Sequence, residues 1–160
     1  MFKLKNMNTE SINLEFVTSR EDFLEDDIDF TKNEVAEFLH EYLGRFGDPL
    51  EDIIDAIDYA LSDEKGKGGF VLVLHDQDEI IGSVVINNTG MNGYIPENIL
   101  VYIAVHDEYR GKGIGGNLIK ETAKKCKGDI ALHVEYDNPA RKLYERSGFK
   151  SKYAEMRLKN

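Results

Sequence analysis

From residue 110 to residue 116 the chain reads Arg-Gly-Lys-Gly-Ile-Gly-Gly, a set of residue types suited to holding a phosphate. Glycines at 111, 113, 115 and 116 let the main chain pass close to a ligand in conformations that a side chain would forbid. A helical pattern starts at once, with Ile114, Leu118, Ile119, Thr122, Ala123 and Cys126 on its inner side. The unpaired N–H groups and positive dipole end of that helix therefore fall beside the glycines, which makes an anion site. Arg110 and Lys112 are placed to add charge-assisted contacts. The bland reading is a glycine-rich connection, but four glycines in six residues would weaken an ordinary helix start. Gly111, Gly113 and Gly116 also match the dinucleotide fingerprint G-x-G-x-x-G, with Asp129 or Glu135 as nominal ribose partner. Only 44 residues follow Gly116, too few for the parallel strands of a doubly wound sheet. The Gly-Lys-Ser/Thr of a nucleotide kinase loop is missing at the required spacing.

A second stretch, Asn138-Pro-Ala-Arg-Lys-Leu-Tyr144-Glu-Arg-Ser-Gly-Phe149, carries further polar chemistry. Asn138 reads as a helix N-cap before Pro139. Tyr144 follows Ala140 by four positions and shares its face, and a core position is the commoner fate of one tyrosine among eight. Arg141 and Arg146 can reach a phosphate or remain solvated. Cys126, within a helix pattern, reads as packing. No Ser, Cys or metal-ligand constellation suggests a hydrolase, and no metal is expected.

The elements that must position these residues follow from periodicity. Ile12 to Thr18 reads as a first strand, followed by the acidic stretch Glu21 to Asp29. Thr31-Lys-Asn-Glu34 has the form of a capping box, and Val35, Phe38, Leu39, Tyr42 and Leu43 recur at helical spacing up to Gly44. Asp48-Pro49 predicts an N-cap and first helical position for a second helix, whose apolar face is Leu50, Ile53, Ile54, Ile57 and Leu61. Phe70–His75 and Glu79–Asn87 predict a hairpin, and Ile99–Val105 a strand buried on both faces. After the helix from Gly113 to Cys126 come a strand Ile130–Tyr136, a short helix Asn138–Ser147 and a last strand Tyr153–Leu158. The order β-α-α-β-β-β-α-β-α-β describes one α/β domain, residues 1–160, with a mixed sheet.

Composition narrows the partners. A net charge of -10 argues against nonspecific binding to nucleic acid or anionic membrane. Residues 1–68 hold 18 acids against 7 bases, whereas residues 109–127 hold six bases and one acid. Such a local basic patch suits one specific anionic ligand, or a solvated helix face. No apolar run approaches the roughly 20 residues of a membrane span, and the N-terminus lacks the features of a secretory signal. A single cysteine leaves no internal disulfide, so a cytoplasmic location is expected.

Ile103-Ala-Val-His-Asp-Glu-Tyr-Arg-Gly-Lys-Gly-Ile-Gly115 resembles the central motif of the GNAT superfamily of N-acetyltransferases, whose Arg/Gln-x-x-Gly-x-Gly/Ala core falls on Arg110, Gly113 and Gly115. The stretch Asn138 to Phe149 is similar to that family's Asn-x-x-Ala/Ser…Tyr…Gly-Phe segment, so the likeness is strongest over residues 99–149. The resemblance implies a GNAT-type fold with a splayed central sheet and acetyl-CoA as co-substrate. It further implies main-chain contacts from Ile103, Ala104 and Val105 to the pantetheine arm, one N–H serving as oxyanion donor. The pyrophosphate would rest on the N–H groups of Arg110, Gly111, Lys112, Gly113, Ile114, Gly115 and Gly116. Asn138 would hydrogen-bond the pantetheine arm, and Tyr144 would be the general acid toward the thiolate.

A base must take a proton from the acceptor ammonium. Several relatives use a Glu on the central strand, a position occupied here by Ile99; Glu97 is the nearest candidate, with Glu135 and His133 as weaker ones. The implied activity is direct transfer of an acetyl group to a primary amine of a small molecule or peptide, with acceptor contacts from helices 31–62 and loop 88–98. Those regions are acidic, which favours a polyamine, an aminoglycoside or a basic peptide terminus. The rival readings are a non-enzymatic acyl-CoA-binding module of the same fold and a nucleotide-dependent oxidoreductase. Homodimers are frequent among such proteins.

Overall fold

Thr31 starts the first long helix as its sequence requires. Its hydroxyl accepts from the Glu34 N–H at 3.2 Å while the Glu34 carboxylate accepts from the Thr31 N–H at 2.7 Å. In this computed structural model, which describes residues 11–24 and 30–160, that helix is α1 (Lys32–Leu43), and it ends at Gly44 with φ 56°. Residues 25–29 of the acidic stretch lie outside the described residues. Helix α2 (Leu50–Ala60) packs beside α1.

Five strands form one sheet in the order β1 (Ile12–Val17), β2 (Gly69–Asp76), β3 (Glu79–Asn88), β4 (Asn98–Val105), β5 (Ile130–Ala131). Neighbours up to β4 are antiparallel, and β4 and β5 are parallel. Helix α3 (Ile114–Lys125) makes the crossover that parallel pairing of β4 and β5 needs, and α4 (Arg141–Arg146) follows β5.

Each face of the sheet has its own core. Val35, Leu39, Ile53 and Ile57 of α1 and α2 cover Val71, Val73, Val85 and Tyr102. Ile114 and Leu118 of α3 cover Leu72, Leu74, Ile81 and Ile86 on the other side. The hairpin β2–β3 supplies both faces because its strands are mostly apolar at successive positions and buried through their middles. Among the described residues, no helix is long and apolar enough to cross a membrane.

Four expectations are corrected. Strand β4 is not evenly buried on both faces: buried and half-buried residues alternate along it. Its half-buried Ile103 and Val105 form a cavity wall, which is why the sequence run is unbroken there. A register shift opposite Val85 and Ile86 makes Val101 an extra residue, so Leu100, Ile103 and Val105 go with the α3 core while Tyr102 and Ala104 go with the α1–α2 core.

The strand expected from Ile130 to Tyr136 is paired only at Ile130 and Ala131, because β4 and the chain after β5 part beyond Ile99↔Ala131. The last strand, expected at Tyr153–Leu158, does not join the sheet; residues 150–160 run free of secondary structure with 151–160 exposed throughout. Finally, Asp48 does not cap α2. Pro49 holds the N-cap position without a side-chain bond, and the Asp48 carboxylate accepts from the Tyr102 hydroxyl at 2.7 Å instead.

Candidate active site

Where β4 and β5 separate, the β4 edge from Leu100 to Val105 has no strand beside it on that side among the described residues. Main-chain groups along that edge have no strand partner among the described residues and are free to bond water or a guest.

The glycine segment closes one end of that seam. Gly111 (φ 74°) and Gly113 (φ 85°) hold left-handed conformations, and Gly113 is the N-cap of α3 with no side-chain bond. A Cβ at either position would meet no atom within 4 Å, so backbone conformation, not crowding, reserves them for glycine. Gly115 serves differently: a Cβ there would come within 2.8 Å of Leu143 Cδ2, so its absence lets α4 approach α3. The N-terminus of the twelve-residue helix α3, from its cap Gly113 to Gly116, thus lines the cavity.

Seam and glycine segment belong to one cavity of about 600 Å³. Ile103, Ala104 and Val105 line it from β4, and Arg110, Gly111, Gly113, Ile114, Gly115 and Gly116 from the loop and α3. Asn138 and Tyr144 line it from the α4 side. Asn138 is not the N-cap expected of it: α4 starts at Arg141 with Ala140 at the cap, and the Asn138 Oδ1 instead accepts from the Ala140 N–H at 2.9 Å, closing the turn before the helix. Tyr144 packs edge-on to Phe149 with ring centres 5.9 Å apart, and burial raises its hydroxyl pKa above the usual 10. A neutral phenol facing a cavity is a proton donor.

Not every expected residue arrives as expected. Lys112 does not line the cavity; its ammonium lies over the Tyr109 ring at 5.1 Å. Arg110 lines it, but two of its donors are engaged elsewhere: Nε donates to the Val105 carbonyl at 2.9 Å and a terminal nitrogen to the Tyr42 carbonyl at 2.8 Å.

Glu97 is the largest departure. Its carboxylate accepts from the Asp129 N–H at 2.8 Å, and that bond leads the causes that lower its pKa. It closes the turn before β5, next to the start of β4, while the cavity is at the other end of that strand. Residues 98 to 103 span roughly 15 Å of extended chain, so Glu97 cannot reach the cavity. His133 and Glu135 are exposed and also outside the lining. Arg146 lines the cavity; Arg141 instead donates to the Tyr136 carbonyl at 3.3 Å. No Asp, Glu or His is among the lining residues described, and no group of three or more His, Cys, Asp or Glu is placed to hold a metal.

The sequence did not single out Tyr42, Leu43 and Phe46 as site residues, yet they line the cavity from the end of α1 and the turn after it. Tyr42 and Leu43 repeat at helical spacing and so look like core, yet they are the last two residues of α1 and line the cavity there. Tyr42 also stacks on His106 at 4.5 Å. Arg45, just past α1, pairs with Asp137 at 2.9 Å and ties this wall to the turn following β5.

The model of the acetyltransferase (GNAT) domain matches residues 67–151, which include β2 through α4. N-alpha-acetyltransferase 30 of Schizosaccharomyces pombe is 28% identical over 130 residues, 72% of this chain and 82% of the relative. The mouse cysteine-rich protein 2-binding protein is 39% identical over 56 residues, 34% of this chain but only 7% of the relative's length. Among solved structures, the ribosomal-protein-alanine N-acetyltransferase of Brucella melitensis superposes with a TM-score of 0.62 at 18% identity, covering 94% of this chain and 100% of that one. An aminoglycoside N-acetyltransferase in complex with CoA gives 0.62 at 14% identity, covering 96% and 99%. With its matching domain placed on this strand order and this parted sheet, the chain belongs to the GNAT acetyltransferase family.

Proposed function

We propose that this protein transfers the acetyl group of acetyl-CoA directly to a primary amine of a small molecule or peptide. The observation that carries this reading is the joining of two features in one cavity, a left-handed glycine cradle at a helix N-terminus and an unpaired strand edge. A diphosphate would suit the first, because the N-terminus of α3, with its positive dipole end, lines the cavity. An extended amide-bearing arm fits the second, because Ile103, Ala104 and Val105 offer main-chain groups to it as a neighbouring strand would.

Acetyl-CoA, when bound, supplies the activated acyl group. The chain contributes orientation and proton handling. Main-chain N–H groups of residues 103–105 would hold the acyl carbonyl oxygen as charge grows on it. The Tyr144 hydroxyl, neutral at physiological pH, would give its proton to the departing sulfur. Since the described lining carries no carboxylate or imidazole, the ammonium proton of the acceptor would leave through water.

The acceptor would enter beside Tyr42, Leu43 and Phe46, between α1 and the seam. The acidic N-terminal half favours a cationic acceptor, and the relatives include a protein named for N-alpha-acetylation and one named for aminoglycosides. The test is calorimetric titration with CoA and NADH, followed by thiol release from acetyl-CoA over polyamines, aminoglycosides, amino acids and peptides. CoA uptake without NADH uptake, with thiol release for at least one amine class, is the expected result. CoA uptake with no release from any amine would leave a binding module, and no CoA uptake would end the proposal.

A further inference from the structure

Arg110 stands where a phosphate contact is expected, but the geometry gives its side chain another duty. A guanidinium carries its donors in a planar fork, and two arms of this one are used within the protein. Nε donates to the Val105 carbonyl at 2.9 Å, and a terminal nitrogen donates to the Tyr42 carbonyl at 2.8 Å. Val105 is the last residue of β4, and Tyr42 is in the final turn of α1. All three residues line the same cavity. A single side chain therefore joins the glycine segment, the open strand edge and the end of α1.

The Tyr42 carbonyl is one of the last four of α1, which have no partner within the helix and lie at its negative end. Gly44 turns the chain away at φ 56°, and Arg110 supplies a charged donor from 68 positions further along. The Tyr42 ring is held as well, with ring centres 4.8 Å from Phe38 and 4.5 Å from His106. Since His106 directly follows Val105, backbone and ring of Tyr42 are both tied to the chain that leaves β4. Arg146 contrasts with this. It lines the cavity, and no ion pair or hydrogen bond engages its guanidinium among the described residues, so its charge is free for a phosphate.

We propose that Arg110 is a positioning residue for the amine acceptor: its side chain sets the gap between the α1 end, Tyr42 to Phe46, and the open β4 edge, and is not a phosphate ligand. This role rests on the function proposed above, in which the acceptor enters beside Tyr42, Leu43 and Phe46. The role is specific to arginine. A rigid fork meets two carbonyls on different elements at once, whereas an ammonium keeps the attraction for a phosphate without the fixed spacing that bridges them.

The test compares Arg110→Lys and Arg110→Gln with the unaltered chain. It reads acceptor KM and kcat at saturating acetyl-CoA, the CoA dissociation constant by calorimetry, and hydrogen exchange over residues 42–47. Both substitutions should raise the acceptor KM about tenfold, the effect falling on KM rather than kcat. The CoA dissociation constant should stay within about threefold, and residues 42–47 should exchange faster while α3 does not. A phosphate ligand behaves otherwise: Lys would retain most of the CoA affinity, and Gln would weaken CoA binding with the acceptor KM unmoved. That pattern overturns the proposal, as does an acceptor KM kept by Arg110→Lys. Should Arg110→Gln fail to fold, Arg110→Lys carries the same test. No thiol release from any amine by the unaltered chain would overturn the function proposed above and this role with it. Unmoved acceptor KM and unaltered exchange at 42–47 in an active enzyme would overturn this role alone.

Discussion

Tyr144 combines the two properties a proton donor needs, a place on the cavity wall and a hydroxyl that burial keeps protonated. Tyr144→Phe should lower kcat/KM by about a hundredfold, the scale of a lost general acid, with the CoA dissociation constant unchanged. Steady-state rates beside calorimetry read the two separately. The raised Tyr144 pKa also fixes the alkaline behaviour. In the proposed role its active form is the protonated one, so a raised pKa would keep the donor competent past pH 10. With no carboxylate or imidazole in the described lining, the rate should climb with pH as the acceptor amine loses its proton, and show no inflection between pH 5 and 8. A pH–rate profile on a single amine acceptor checks this. Cys126 is the opposite case. Half-buried at the end of α3, it has its thiol pushed up to about 11 by desolvation. At neutral pH that leaves on the order of a hundredfold less thiolate than a free cysteine, so alkylation should be slow in the native protein and fast in urea. That Tyr144 belongs with the glycine segment was legible through its motif, and the structure puts both in one cavity lining. That Glu97 is a turn-closing residue was not, because its partner Asp129 is 32 positions away and only the fold joins them.

At the scale of elements, helices α1 and α3 were readable to within about a residue, since capping box, apolar spacing and terminal glycine all act locally. The glycine segment was equally legible, but the distinct duties within it were not. Gly113 answers to φ and Gly115 to the neighbouring Leu143. Gly113→Ala should therefore cost about 1–2 kcal/mol of stability and weaken CoA binding by distorting the cradle, as urea unfolding and calorimetry would register. The strands fared less well. Apolar alternation predicts where a chain can be a strand, not which strand lies beside it, so Ile130–Tyr136 and Tyr153–Leu158 were read longer than the sheet makes them.

Across the whole molecule, the sheet separates two cores that share little but the backbone between them. Leu39→Ala on the α1–α2 face and Leu118→Ala on the α3 face should each cost about 2–5 kcal/mol, since both leave a void in a fully buried site. Lying on opposite faces with no shared partners, the two losses should add in the double variant, as equilibrium unfolding would measure. By itself the sequence determined helices α1, α2 and α3, the hairpin, the glycine segment at the start of α3 and the family, because each is written in spacings of a few residues. Tertiary structure decided which groups meet: the parting of β4 from the chain after β5, the capture of Arg110 by two carbonyls, the wall made by Tyr42 and Phe46, and the isolation of Glu97. Those depend on contacts between residues tens of positions apart, and local periodicity carries no information about such distances.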